Sequence, residues 1–262
     1  MSVVQQPWLT IGRARVHQPR QHLDLIRLLR LSAHKTGMAV EIRRNLATVD
    51  RLTVELARRS IVSAEPFAGT WIGPLLVLGP TRDYYGHLVS EFADLDAPPR
   101  LDRATQDSID DLLEALGHRT SDVLTERPET TPENNASIVL LGLLAGRRVL
   151  FTSDAGTEAL RRIVAIDSGG LLANLDWMQL PHHGSWRNID QALVGYFRPS
   201  SAFVSAAGNR KHPRPAVVNA FKAVGSRVLS THYPTSTHLW YYAGVVPVRF
   251  DYGPAVPLWD AA

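Results

Sequence analysis

The sequence has no cysteine among its 262 residues. Without thiols the chain forms no disulfide and offers no thiolate as a nucleophile or metal ligand. A metal ion would therefore have to be held by histidine, aspartate and main-chain or amide oxygens. Cysteine-dependent enzymes and thiolate zinc sites are excluded.

Long apolar runs are also lacking. No stretch approaches the ~20 residues needed to span a bilayer, and the first residues lack the apolar core of a secretory signal peptide. Charge is spread along the chain, with a formal net charge of +3 and a pI of about 9.4. This balance is compatible with a polyanionic partner and equally typical of an ordinary protein surface. We expect a cytoplasmic protein with no membrane span.

The distribution of residue types along the chain predicts two parts. Residues 1–60 are rich in arginine and carry two short apolar stripes at helical spacing, which indicates a basic helical N-terminal segment. Residues 61–262 are expected to form one larger domain. Within it, residues 93–133 hold few large apolar side chains and many polar ones, which indicates a loose surface excursion with one helix over 109–116.

Apolar runs bounded by glycine and proline alternate with stretches of helical spacing, and this alternation is typical of a layered α/β domain. The predicted strands are Ile72–Pro80, Ser137–Leu144, Arg148–Thr152, Leu175–Leu180, Ser201–Ser205 and Arg227–Ser230, with a hairpin turn at Gly146-Arg147. The predicted helices are Thr81–Phe92, Thr157–Ile166, Asp190–Phe197 and Pro215–Val224.

Polar side chains follow two successive predicted strands. Asp154 lies at the end of one strand, and the pair His182-His183 lies at the end of the next. Ligands gather in the loops beyond strand ends in layered α/β folds, and carboxylates and imidazoles are the usual ligands of zinc or manganese when thiols are absent. Asp154 could equally be the N-cap of the following helix. The residues alone leave a metal site, a phosphate site and a structural role open.

Four short motifs occur in a fixed order along the chain. The ordered set indicates a relation to a family more specifically than any single motif does. The chain carries, in order, Glu133-Asn134-Asn135-Ala136-Ser137, Phe151-Thr152-Ser153-Asp154, Pro181-His182-His183-Gly184-Ser185 and Asn209-Arg210-Lys211-His212-Pro213. This set resembles the E-N-N-x-S, L-T-G-D, P-H-H-G-S and H-P-x-P motifs of the metallo-hydrolase domain of ComEC-type competence proteins and their free-standing relatives. The resemblance covers roughly residues 130–232. It implies a metallo-β-lactamase fold, which is a four-layer αββα sandwich, and a metal-dependent hydrolase that cleaves phosphodiesters in a nucleic acid or nucleotide.

The resemblance also implies roles for individual residues. Asp154 matches an aspartate that bridges two metal ions of zinc or manganese. Either His182 or His183 matches a later metal ligand. His212 matches a position near the site, where it would orient a phosphate or transfer a proton. The candidate substrate-binding residues lie in or beside the matched motifs and are Asn134, Asn135, Ser137, Ser185 and Lys211.

One motif of the family is missing. The sequence His-x-His-x-Asp-His, which supplies ligands to both metal ions, is nowhere in the chain. Because zinc takes about four ligands, the remaining residues would leave each ion under-coordinated, and retention of the metal is in doubt. Smaller departures are Ser153 in place of glycine and Arg214 in place of a second histidine. We expect an αββα sandwich that is incomplete at its N-terminal side, with an exposed sheet edge that a partner chain or a second copy would cover.

Three functions remain open at this point. The first is a phosphodiester-directed hydrolase, truncated or impaired in this chain. The second is a non-catalytic module that keeps the fold and binds a partner or nucleic acid through its basic helices. The third is half of a site that another polypeptide completes. Stoichiometric zinc or manganese would favour the first, and a neighbouring reading frame that encodes the missing motif would favour the third.

Overall fold

The computed structural model describes residues 13–22, 37–92, 124, 129–205, 212–230, 238–239 and 253–254, and gives only the backbone of 37–45, 238–239 and 253–254. The chain divides into two compact units, Met1–Phe67 with Thr81–Ala97, and Ala68–Pro80 with Pro98–Ala262. The predicted division into 1–60 and 61–262 stays a prediction, as does the loose excursion at 93–133. The predicted helix over 109–116 lies outside the described residues.

The first unit contains two short strands and two α-helices in its described part. Its elements are β1 (Arg13–Arg15), a 3-10 turn (Pro19–His22), α1 (Gly37–Arg58), β2 (Val62–Ala64) and α2 (Arg82–Phe92). β1 pairs in parallel with β2. α2 follows Thr81, whose Oγ1 accepts a hydrogen bond from Tyr84 N at 3.2 Å, as N-cap side chains do. The predicted helix over Thr81–Phe92 is confirmed, and α1 confirms helix in the basic segment.

Seven described strands of the second unit form one mixed sheet. They are β3 (Trp71–Ile72), β4 (Leu75–Gly79), β5 (Val139–Leu144), β6 (Arg147–Phe151), β7 (Trp177–Gln179), β8 (Ser201–Val204) and β9 (Arg227–Ser230). They lie side by side in sequence order, antiparallel from β3 to β6 and parallel from β6 to β9. A separate parallel pair is formed by β10 (His238–Leu239) and β11 (Gly253–Pro254).

Two turns differ from their predicted positions. The predicted strand Ile72–Pro80 is divided into β3 and β4, because Gly73 has a φ of 58° and turns the chain. The hairpin between β5 and β6 turns on Ala145 and Gly146, with φ values of 50° and 75°. Two successive positive φ values match the twist of a hairpin, so Arg147 already belongs to the strand and the predicted turn lies one residue too late.

Helices alternate with the parallel strands of the second unit. The described ones are α3 (Pro132–Asn135), α4 (Thr157–Ala165), α5 (Gln191–Phe197) and α6 (Pro215–Ala223). The last three confirm predicted helices, whereas α3 was not predicted. Helices that alternate with strands of a mixed sheet confirm the α/β class. Among the described helices, none combines the length and the apolar character that crossing a membrane requires.

The core of the second unit lies between the sheet and α4. A Cβ on Gly79 would come within 3.0 Å of Ile163 Cδ1, so α4 packs on the face to which Gly79 and its register partner Val139 point. The same face carries a row of register partners that are at most 1% exposed, namely Leu141, Leu150, Met178, Ala202 and Val228. Burial of a large aliphatic side chain of this kind contributes about 1.5–3 kcal/mol.

The opposite face of the sheet carries an aromatic row. Phe151 follows the buried Leu150 and therefore points to the other face, because successive strand residues alternate. Its ring centroid lies 5.4 Å from that of Trp177, and Trp177 lies 5.7 Å from Phe203. All three rings are half-buried. At the edge of the sheet, Trp71 of β3 is 53% exposed.

The loop between α4 and β7 is fixed by a carboxylate and a guanidinium. Asp167 accepts hydrogen bonds from Leu171 N (2.8 Å), Leu172 N (2.7 Å) and the Tyr196 hydroxyl (2.9 Å). The Arg148 guanidinium donates to three main-chain carbonyls of the same loop at 2.8–3.0 Å. Partial burial raises the pKa of Asp167, but the hydrogen bonds from Leu172 and Tyr196 outweigh it and leave the pKa below its ordinary value of 3.8.

Asp167→Asn is expected to lower the free energy of unfolding by about 1–2 kcal/mol at neutral pH, because an amide offers one accepting oxygen and no charge. Since the folded pKa is lowered, the advantage of the wild-type carboxylate is full above a pH of about 4 and fades as the pH falls through the folded pKa. Urea unfolding at a series of pH values measures both effects.

Glu158→Gln provides the control for this loop, because Glu158 makes an exposed pair with Arg162 one helical turn away. Such surface pairs contribute about 0–1 kcal/mol. An Asp167→Asn variant that unfolds at the same urea concentration as Glu158→Gln at neutral pH would contradict the prediction.

Candidate functional site

The candidate site lies at one edge of the sheet. β6, β7 and β8 are parallel, so their carboxyl ends meet at the same edge. Asp154 follows β6, the pair His182-His183 follows β7, and Ser205 follows β8. The parallel order thus brings together segments that are far apart in the sequence, as predicted for layered α/β folds.

A single turn of helix pins these segments to one another. Thr131 is the N-cap of α3, and its side chain accepts a hydrogen bond from Asn134 N. Asn135 Oδ1 accepts from Gly156 N at 3.1 Å. A Cβ on Gly156 would come within 2.4 Å of Asn135 Oδ1, so only glycine fits against α3 at this point. Glu129 Oε2 accepts from Glu158 N at 3.1 Å, and α3 is therefore bound to the start of α4.

Asp154 is not the cap of the following helix. The N-cap of α4 is Gly156, so the structural alternative for Asp154 is wrong. Asp154 is half-buried, and its main-chain carbonyl accepts a hydrogen bond from Asn188 Nδ2 at 2.9 Å. The preceding Ser153 has a φ of 49°, a left-handed conformation that favours glycine. The backbone of Asp154 is thus held by Asn188.

His182 is bonded at both its backbone and its ring. Its N–H donates to Ser153 O at 2.9 Å, which joins the loop after β7 to the loop after β6. Its ring Nδ1 lies 3.0 Å from Asn134 Nδ2, and the same amide nitrogen donates to Thr130 Oγ1 at 2.7 Å. Because the amide donates, Nδ1 accepts, and the neutral ring carries its proton on Nε2. His182 is therefore arranged to donate a hydrogen bond from Nε2.

His182, His183 and His212 form a histidine cluster. The ring centroid of His212 lies 5.5 Å from that of His182 and 6.5 Å from that of His183. His183 is exposed, and its Nδ1 lies against Ser205 O. Since the carbonyl of Ser205 accepts, Nδ1 of His183 carries a proton. The rings of the cluster thus come from two loops that are about thirty residues apart.

Close packing of a glycine on a proline holds the two loops together. Gly184 has a φ of 83°, and a Cβ there would come within 2.8 Å of Pro213 Cβ. The carbonyl of Gly184 accepts a hydrogen bond from Arg214 N at 3.1 Å. Arg214 is 4% exposed, and its guanidinium lies 4.7 Å from the ring centroid of Trp186. Glycine is required at this position both for its conformation and for its lack of a side chain.

The other predicted substrate-binding residues are placed differently. Ser137 N donates to Asn134 O at 3.0 Å, at the end of α3. Ser185 is 5% exposed, and its Oγ accepts from Arg187 N within the same loop. Lys211 lies outside the described residues. Their predicted roles in binding substrate stay predictions.

The candidate ligands do not form a complete metal site. The described residues contain no group of three or more histidine, aspartate or glutamate side chains arranged to hold one. The tautomer assigned to His182 also differs from that of a metal ligand. A metal at Nε2 needs a lone pair there and a proton on Nδ1. The Asn134 amide would first have to turn so that its oxygen accepts. As arranged here, Asp154 and the histidine cluster do not fit a complete metal site.

Sequence reasoning missed two residues that build this edge. Asn188 is 1% exposed and donates to the carbonyls of both Asp154 and Ala155. Nothing in its local sequence distinguishes it from a surface asparagine. Glu129 binds the start of α4. The sequence did contain a signal for the helix beside it, because Thr131-Pro132 is typical of a helix start.

The proton of metal-free, neutral His182 is expected on Nε2. Long-range ¹H–¹⁵N correlation spectra at a pH above the ordinary histidine pKa of about 6.5 report the tautomer directly, and His182→Gln identifies the signal. Asn134→Ala removes the amide donor, so the ring should then shift towards a mixture of tautomers. A proton found on Nδ1 in the wild-type protein would overturn this account of the Asn134–His182 contact.

No family model matches the chain, and no match is found among curated proteins or among solved structures.

Proposed function

We propose that this chain carries part of a metal-dependent, phosphodiester-directed hydrolase site of the metallo-β-lactamase type, related to the metallo-hydrolase domain of ComEC-type proteins. One observation carries the proposal. The motifs that resemble this family meet at one sheet edge, where Asn134 of the first motif is bonded to His182 of the third and His212 of the fourth packs beside it.

The backbone at the second motif supports the same relation. The family has glycine where this chain has Ser153, and Ser153 adopts a φ of 49°. A side chain in this left-handed region costs roughly 1 kcal/mol, which explains why glycine is favoured there. A departure in sequence thus coincides with a conformation that suits the family's residue.

The chain's own groups suit a phosphodiester. His182 presents Nε2–H as a donor, and a phosphate oxygen is a strong acceptor. His212 lies beside it, and an imidazole in this place is suited to accept or return a proton. Asp154 contributes a carboxylate in the loop that follows β6. The expected substrate is a nucleic acid or a nucleotide in the cytoplasm.

The metal is the incomplete part of the proposal. Zinc or manganese bound by Asp154 and one or two imidazoles would need further ligands, so the chain by itself is impaired as a hydrolase. A second polypeptide, or a second copy, could supply them. The aromatic row of Phe151, Trp177 and Phe203 and the exposed Trp71 at the edge of the sheet are the apolar surfaces that such a partner would cover.

Hydrolysis of bis(p-nitrophenyl) phosphate in excess manganese tests the proposed function. We expect slow hydrolysis above the protein-free rate, because the excess metal offsets weak binding. Asp154→Asn should reduce the rate at least tenfold. His87→Gln is the matched control, because His87 is a 66% exposed histidine of the other unit, and it should leave the rate unchanged.

Two results would contradict the proposal. One is the absence of any metal-dependent rate, which would favour the non-catalytic binding module. The other is a rate that Asp154→Asn leaves intact, which would place the reaction elsewhere in the preparation.

A further inference from the structure

The first unit contains a cluster of titratable and aromatic side chains that the proposed function does not use. We call it the histidine latch and define it as His17, His22, Glu65, Phe67 and Tyr85. All five lie in the first unit: His17 follows β1, His22 ends the 3-10 turn, Glu65 and Phe67 follow β2, and Tyr85 lies on α2.

Glu65 is the centre of the latch. Its side chain is 7% exposed and accepts a hydrogen bond from Gln18 N at 2.9 Å. Its two oxygens lie 3.1 and 3.2 Å from His22 Nε2, which therefore carries a proton and donates. Arg82 Nη1 of α2 lies 3.6 Å from Oε2. A buried carboxylate of this kind is stable only while these partners stay in place.

His17 is enclosed by aromatic rings. Its side chain is 12% exposed and stacks on Tyr85, with ring centroids 4.3 Å apart and planes at 19°. Phe67 lies 5.0 Å away. Both ring nitrogens are buried and make no hydrogen bond within the described part of the chain. A neutral ring fits this environment, because the carboxylate oxygen Glu65 Oε1 lies 3.9 Å from Nδ1, which is too far for a hydrogen bond.

The charged and titratable groups around His17 are few. Burial lowers the pKa of His17 from 6.5 to about 4; the charge of Glu65, 3.9 Å from Nδ1, opposes this shift and that of His22 adds to it. Tyr85 faces the ring as a neutral phenol, since burial raises its pKa well above the ordinary value. The Arg82 guanidinium lies over the ring of Phe67, with Cζ 4.3 Å from the centroid, and 3.6 Å from Glu65 Oε2.

We propose that the histidine latch is a proton-operated switch: neutral His17 holds the segment from Arg13 to His22 against β2 and α2, and protonation of His17 releases it. Release breaks the pairing of β1 with β2 and the bond from Gln18 N to Glu65, and it exposes the ring faces of Phe67 and Tyr85. His22 opposes release, because its Nε2–H is bonded to the Glu65 carboxylate in the closed state.

The direction of the pH dependence follows from linkage. His17 binds a proton more readily in the released state than in the closed state, so falling pH favours release. The effect begins as the pH drops below about 6.5 and levels off as the pH falls through the folded pKa of about 4. The opening equilibrium constant of the segment should rise on the order of 50-fold between pH 7 and pH 4.5.

Hydrogen exchange of two amides tests the latch. Val16 N donates to Ala64 O and Gln18 N donates to Glu65, so both lose protection when the segment is released. After correction for intrinsic exchange rates, their protection should fall on the order of 50-fold from pH 7 to pH 4.5. Leu180 N, which donates to Phe203 O in the second unit, should keep its protection and shows that the opening is local.

Three variants test whether the loss of protection comes from protonation of His17. His17→Phe keeps a ring on Tyr85 without a titrating group, so its loss of protection should be less than about fivefold over the same range. His17→Gln, which also lacks a titrating group in this range, serves the same purpose if the larger ring disturbs packing. His87→Gln, a change at an exposed histidine of α2, should behave as the wild type does.

Direct titration of the His17 ring by NMR completes the test. The latch predicts an apparent pKa well below 6.5, with exchange at Val16 rising over the same pH range. Unchanged protection at pH 4.5, an equal loss in His17→Phe and the wild type, or a ring that titrates at 6.5 would each overturn the proposal. None of these measurements depends on the hydrolase site.

Discussion

The candidate site depends on the hydrogen bonds made by the side-chain amides of Asn134 and Asn135. Parallel strands bring the loops after β6 and β7 to one edge, but strand order alone fixes neither their spacing nor the orientation of any ring. Asn135 binds the start of α4 through Gly156, and Asn134 binds the ring of His182. The turn of helix that carries both amides is thereby bonded to the start of α4, which follows β6, and to an imidazole that follows β7.

The same contacts determine what the site can do. An amide that donates to Nδ1 leaves His182 a hydrogen-bond donor at Nε2, which suits a phosphate oxygen. Conversion to a ligand requires the amide of Asn134 to turn, and it requires donors that the described residues do not supply. The proposed hydrolase is therefore impaired because its sheet edge is ordered but its set of metal ligands is incomplete.

Much of the fold could be predicted from the sequence, because apolar runs and helical spacing determine β5 to β9 and α4 to α6. The rule for parallel strands also predicted that the loops that carry Asp154 and His182 lie next to each other, and they are joined by the hydrogen bond from His182 N to Ser153 O. Side-chain bonds between distant residues could not be predicted: nothing local shows that Asn188 is buried under Asp154, or that Glu65 lies 43 positions from the His22 that it binds. The turn at Ala145-Gly146 was misplaced by one residue, since adjacent small residues leave the exact position to the strand register.

Metal content after equilibration with zinc and manganese, followed by dialysis, tests the central claim most directly. The arranged but incomplete ligand set predicts far less than one ion per chain, with no difference between the wild-type protein and Asp154→Ala. Near-stoichiometric metal that is lost in Asp154→Ala would contradict the claim, because it would show that this chain assembles a complete site by itself.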